Sequence, residues 1–229
     1  AEYIHLENGF SSPQPTPTFE ALQGHQRDIN NGLSFYMRRR QASDHAAVKQ
    51  ALAELAGVPA DEIVITRNTT ESLGTVIHGR DLAPGDEAVM CNQDYGSMLE
   101  QFRQQSKRRG LKLVDVDVPL HPKSDDDVVG AYERAMTSRT KVMLVSHMIN
   151  ISGHILPVKK IAAMAHARGV DVIADAAHSF AHVNYTVPDL DADYLGASLH
   201  KWLSTPLGAG LLYVRKSKIA NVWPLLGET

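Results

Sequence analysis

Two stretches in the second half of the chain carry side chains able to do covalent and proton-transfer chemistry. Asp175 closes the β-prone run 170–174, and His178 follows in Asp175-Ala176-Ala177-His178. A carboxylate at the end of a buried strand is costly unless something positive meets it; a protonated pyridine nitrogen, a metal ion or a helix N-terminus would each serve. Lys201 sits among small and aromatic residues in Ser198-Leu199-His200-Lys201-Trp202. Desolvation disfavours an ammonium, so a lysine there loses its proton more readily than a solvated one, and the free amine is the form that attacks an aldehyde.

An earlier polar turn, Arg67-Asn68-Thr69-Thr70-Glu71-Ser72, follows a β-prone run and enters a helical stretch. Its free N–H groups and hydroxyls suit a phosphate. Taken alone, the same residues fit an ordinary helix cap, with Glu71 as capping partner, better than a phosphate site. Asp175 and His178 also look like half of a metal site, but no further ligands stand at metal-site spacing, and no metal is expected. Neither G-x-x-x-x-G-K-[ST] nor a G-x-G-x-x-G after a strand occurs, which argues against a nucleotide-binding protein.

These residues need a scaffold that gathers them. From about residue 43, helical and strand patterns alternate, the signature of helices packed on a largely parallel sheet. Strands are expected at 62–66, 86–91, 111–117, 141–146, 170–174 and 209–214. Ser43 fits an N-cap, with Val48, Ala51, Leu52 and Leu55 as the apolar stripe and Gly57 as the stop. A crossover helix is expected over 157–168, with Pro157 in its first turn and Gly169 after its end. The segment 11–18 holds three prolines, so 1–42 reads as an extended arm followed by a helix around 19–29, and 43–229 as the main domain. In open sheets of this kind ligands collect at the carboxyl ends of the strands, where the informative residues fall.

With 229 residues, 43% hydrophobic and 21% charged, the chain can enclose a real core. A net charge of -3 gives no reason to expect nucleic acid as a partner, and Arg38-Arg39-Arg40 reads as a solvated face. The single cysteine, Cys91, cannot form an internal disulfide and ends an apolar run, as a buried side chain would. No apolar run approaches the length of a membrane-spanning helix, so no membrane is expected as a partner. A cytoplasmic location is expected, with the periplasm as the alternative if an upstream export segment has been removed.

In combination the motifs resemble the class V aminotransferase group of fold-type I pyridoxal 5′-phosphate (PLP) enzymes, which includes cysteine desulfurases and isopenicillin N epimerase-like proteins. The blocks that carry the resemblance are Glu7-Asn8-Gly9, Arg67-Asn68-Thr69-Thr70-Glu71, His147-Met148-Ile149-Asn150, Asp175-Ala176-Ala177-His178 and Ser198-Leu199-His200-Lys201-Trp202. The resemblance implies a mostly parallel sheet with helices on both faces, and a catalytic Lys201 that holds the cofactor through a Schiff base. It implies that Asp175 pairs with the pyridine N–H, that Thr69, Thr70, Ser198 and His200 grip the phosphate, that Asn150 and His178 lie near the phenolic oxygen, and that Tyr95 stacks over the ring. Glutamine is common at the position of His178 in desulfurases, which tilts the resemblance toward the epimerase-like branch. Family members continue into a smaller C-terminal domain, expected to be absent from this chain. The expected substrate is an amino acid or amine-bearing metabolite, and the expected assembly a homodimer or a complex with a complementary C-terminal chain. The alternative is a non-catalytic regulatory or interaction protein that keeps the scaffold.

Overall fold

The computed structural model describes residues 4–225. Among them, strands β1 (Ile63–Thr66), β2 (Glu87–Cys91), β3 (Lys112–Val116), β4 (Thr140–Ser146), β5 (Asp171–Asp175), β6 (Tyr194–Ser198) and β7 (Gly210–Val214) form one sheet. The helices are α1 (Thr16–Asn31), α2 (Leu33–Arg39), α3 (Gln41–Ala56), α4 (Thr69–Gly79), α5 (Gly96–Arg109), α6 (Asp125–Ala135) and α7 (Val158–His166). Across the sheet the order is β1-β7-β6-β5-β4-β2-β3, and β7 alone runs against its neighbours. Six strands therefore bring their carboxyl ends to one edge, and β7 begins there.

Side chains alternate across a strand, so each central strand feeds two cores. Val89, Met143, Val145, Val172 and Leu195 pack toward α3, α6 and α7 in one. Ala88, Met90, Leu144, Ile173 and Tyr194 meet Leu73 and Ile77 of α4 and Met98 and Phe102 of α5 in the other. Because both faces are covered, β2 and β5 are buried at every position, which is why 88–91 and 172–174, inside their charged ends, are apolar throughout rather than alternating.

Most elements lie within two residues of their expected bounds, and the departures have physical causes. The sequence reading places no strand at 194–198, yet β6 sits in the middle of the sheet. Its small residues and central glycine carry little strand propensity. Gly196 is needed because a Cβ there would come 2.7 Å from Leu73 of α4. Ser43 is not an N-cap: α3 begins at Gln41, and the Ser43 hydroxyl donates to the Arg40 carbonyl at 2.8 Å. The helix expected at 19–29 starts earlier, at Thr16, since Pro17 is tolerated in a first turn whose N–H groups have no helical partner anyway. Gly57 ends α3 in the left-handed conformation, φ 72°. Arg38, Arg39 and Arg40 are exposed and Cys91 is buried. No helix among the described residues is long and apolar enough to cross a membrane.

The amino edge of the sheet is occupied by ion pairs. Asp171 at the start of β5 meets Arg80 and, at 2.6 Å, Lys218, while the buried Asp193 accepts from His166 Nε2 at 2.8 Å and from Val172 N at 2.9 Å. Charges at this edge are matched among themselves, leaving the carboxyl edge as the place where polar groups face open space.

Candidate functional site

At the carboxyl edge the loops after β1, β2, β4, β5 and β6 surround a cleft of about 490 Å³. Thr69, Thr70, Tyr95, Asn150, Asp175, His178, Ser198, His200 and Lys201 all line it, as do Glu7, Gly9, Phe10 and Ser11 of the amino-terminal arm.

The wall after β1 is a helix start. Asn68 caps α4, its side-chain oxygen accepting from Glu71 N at 2.8 Å, and the Glu71 carboxylate accepts from Arg67 N at 2.6 Å. The capping reading of this turn is thus correct for Asn68 and Glu71, and it leaves Thr69 free to face the cleft. Thr69 N donates to Ser198 Oγ at 2.9 Å, and the two hydroxyls lie 2.8 Å apart. The start of α4 can come this close to the sheet because β7 opens with glycine: a Cβ on Gly210 would lie 2.5 Å from Asn68 N. The result is a helix N-terminus, with its positive end and threonine hydroxyls, opening on the cleft.

After β2, Tyr95 stands at the N-cap of α5 and is 41% exposed, with its ring centroid 5.9 Å from Lys201 Nζ. Asp94 anchors this turn from below. Its carboxylate accepts from Cys91 N at 2.7 Å, from Ser146 Oγ at 2.6 Å and from Ser146 N at 3.2 Å, tying the end of β2 to the end of β4. Burial pushes the Asp94 pKa up to about 7 against those donors, which favour the ionised form. Asn150 lies exposed at the rim after β4.

Asp175 ends β5 buried at the floor of the cleft, and its Oδ1 accepts from Ala177 N at 2.9 Å. Burial raises its pKa, while the Ala177 N–H and the Lys201 charge hold it down. His178 Nε2 lies 3.0 Å from Lys201 Nζ. Burial foremost, then the Lys201 charge, pushes His178 down to about 4, so the ring is neutral near pH 7. Lys201 itself is lowered by desolvation, opposed by the carboxylates of Asp175 and Glu7. His200 Nδ1 lies 3.2 Å from the Ala209 carbonyl, and the His200 carbonyl accepts from Ser12 N at 2.9 Å, pinning the arm beside the lysine.

Residue-by-residue reading missed Asp94, Ser146 and the arm. Glu7-Asn8-Gly9 stood out as a block without an assigned role, and its glycine was the usable signal: a Cβ on Gly9 would lie 3.2 Å from His178 Cε1. Among the described residues, no three His, Cys, Asp or Glu side chains are grouped so as to hold a metal ion.

Fold and site together define an α/β domain whose cleft, at the carboxyl ends of parallel strands, sets a desolvated lysine against a buried carboxylate beside a helix N-terminus. The model of the class-V aminotransferase family matches residues 4–229, and the chain belongs to that family. It is 24% identical over 221 residues to isopenicillin N epimerase of Streptomyces clavuligerus, covering 96% of this chain and 56% of the relative. It is 28% identical over 229 residues to a probable cysteine desulfurase of Halalkalibacterium halodurans, covering 97% and 55%. The chain spans about half the length of the curated relatives it matches. Among solved structures, C-DES with glycine covalently linked to its PLP cofactor superposes with a TM-score of 0.91 at 23% identity, covering 98% of this chain and 60% of that one. This likeness fixes the fold as that of the fold-type I PLP transferases.

Proposed function

We propose that this chain is the cofactor-bearing part of a PLP-dependent enzyme acting at the α-carbon of an amino acid or amine-bearing metabolite. The observation that carries the reading is the convergence of Lys201, Asp175 and the amino end of α4 on one cleft. The residues fit the group. Asp175 is a buried acceptor with one backbone donor, suited to a cationic ring nitrogen, and Thr69, Thr70, Ser198 and His200 surround a helix start suited to a phosphate.

When bound, the cofactor supplies an electron sink that makes the substrate α-carbon acidic. Lys201, whose charged form burial disfavours, would supply the amine that holds the cofactor aldehyde and the base for the α-proton. Asp175 would keep the pyridine nitrogen protonated. His178, neutral, accepts from the lysine and orients it, and with Asn150 would stand near the phenolic oxygen. Tyr95 would cover the ring face. Epimerisation, C–S cleavage and transamination share a demand for a base at the α-carbon, and Lys201 meets it. The epimerase and desulfurase names of the relatives span these chemistries. A scaffold without catalysis is not favoured, because it leaves the lowered pKa of Lys201 and the buried Asp175 without a purpose.

The test loads wild type, Lys201→Ala and Asp175→Ala with PLP, reduces with borohydride and maps the adduct by mass spectrometry. Wild type should carry one pyridoxyl group, on Lys201. Lys201→Ala should hold cofactor without covalent attachment, and Asp175→Ala should form the adduct but lose unreduced cofactor during gel filtration. An adduct on another lysine, or none in wild type, overturns the assignment.

A further inference from the structure

The turn that carries Lys201 and the turn that carries His178 meet at two places. One is the amine itself, with Lys201 Nζ 3.0 Å from His178 Nε2. The other is a stack of His182 on Trp202, ring centroids 3.7 Å apart and planes within 9° of parallel. Trp202 follows Lys201 directly, and His182 Nδ1 lies 3.0 Å from the His178 carbonyl oxygen, so each ring belongs to the same turn as one member of the reactive pair. Among the described residues, no other side-chain hydrogen bond joins residues 178–183 to 199–205.

Both turns also hold a non-glycine residue in the left-handed region, Ala181 at φ 61° and Ser204 at φ 53°. Such a conformation costs an L-residue energy and persists where the surroundings impose it. Trp202 Nε1 is buried with no polar partner, so packing rather than hydrogen bonding holds the indole. A lysine side chain has several rotatable bonds, and one hydrogen bond to a neutral imidazole is a weak restraint on it. The position of the amine therefore depends on how firmly the two turns are held together.

We infer that His182 and Trp202 are positioning residues, a ring stack that ties the two turns so that the Lys201 amine is presented beside His178 and into the cleft. The inference rests on the proposed cofactor reading but concerns residues which that reading does not use. His182 and Trp202 line no part of the cleft, and their effect passes through Lys201 and His178.

The experiment mixes PLP with wild type, His182→Ala, Trp202→Leu, His182→Phe and His182→Gln. Borohydride quenching at timed intervals, followed by mass spectrometry, gives the rate at which Lys201 is modified, and thermal melting of each protein is measured alongside. His182→Ala and Trp202→Leu should be modified roughly five- to tenfold more slowly than wild type, and His182→Phe, which keeps the stack, should recover most of the rate. Modification of His182→Ala and Trp202→Leu at the wild-type rate overturns the inference even if both melt at lower temperature, because a merely structural stack would do that. Recovery by His182→Gln as complete as by His182→Phe overturns it as well, since glutamine restores a polar group and no ring. A wild type that is never modified at Lys201 sinks the cofactor reading itself, and this inference with it.

Discussion

At the scale of single residues, burial rather than charge pairing sets the chemistry of this site. Lys201, His178 and Asp175 are all shifted toward their neutral forms chiefly by desolvation. His147 shows the same effect outside the cleft. It is buried, packs edge-on against Tyr185 at 4.7 Å, has no partner for Nδ1, and is pushed down to about 4 by burial alone. Its folded pKa lies below its unfolded value near 6.5, so the unfolded chain binds the extra proton first. The stability due to neutral His147 is complete above about pH 6.5 and is lost as pH falls toward 4. His178 titrates in the same window and Asp94 in the opposite sense, so the contribution is isolated by difference. Between pH 7 and 5, urea unfolding of wild type should lose about 2 kcal/mol more stability than that of His147→Gln. Equal pH dependence in the two proteins would contradict this account.

At the scale of elements, the site depends on how closely α4 approaches the sheet. Gly210 at the start of β7 and Gly196 in β6 both lie against this helix, and a Cβ on Gly210 would collide with backbone atoms of Asn68, which cannot rotate away. Gly210→Ala must therefore push β7 and the start of α4 apart, at a cost of roughly 1–3 kcal/mol in unfolding free energy. Because Thr69 follows Asn68 and bonds Ser198 of β6, the same shift should weaken PLP binding about tenfold, as measured by fluorescence titration. A variant that loses stability but binds PLP normally would show that the cradle does not depend on this contact. Reading 62–66 and 209–214 as strands was possible from their β-branched and apolar residues. Their adjacency and antiparallel pairing was not, because register is set by contacts between segments about 150 residues apart.

At the scale of the molecule, the arm and first helices stand apart from the two cores. Neither α1 nor α2 has a buried residue, and Phe19, Leu33 and Phe35 are 50%, 55% and 66% exposed. Large apolar side chains left exposed in this way are suited to a second chain. Light scattering should give a mass above that of one 25.1 kDa chain, and Leu33→Ser with Phe35→Ser should shift the mass down. A wild type that remains a monomer at tens of micromolar would remove this expectation.

The sequence by itself determined the fold class, because period-2 and period-3.6 apolar patterns are local and alternate along the chain. It also singled out Asp175 and the threonines of the 67–72 turn, which follow expected strands, and Lys201, which stands among small and aromatic residues that disfavour its charge. Only the tertiary structure decided that β6 exists, since a Tyr-Leu-Gly-Ala-Ser run becomes a strand through its neighbours and through the room Gly196 leaves for α4. It alone brought Glu7 and Gly9 to the cleft, made Asp94 an anchor between β2 and β4, and stacked His182 on Trp202. Each of these depends on the distance between residues far apart in the chain, which is set by packing and has no trace in local residue spacing.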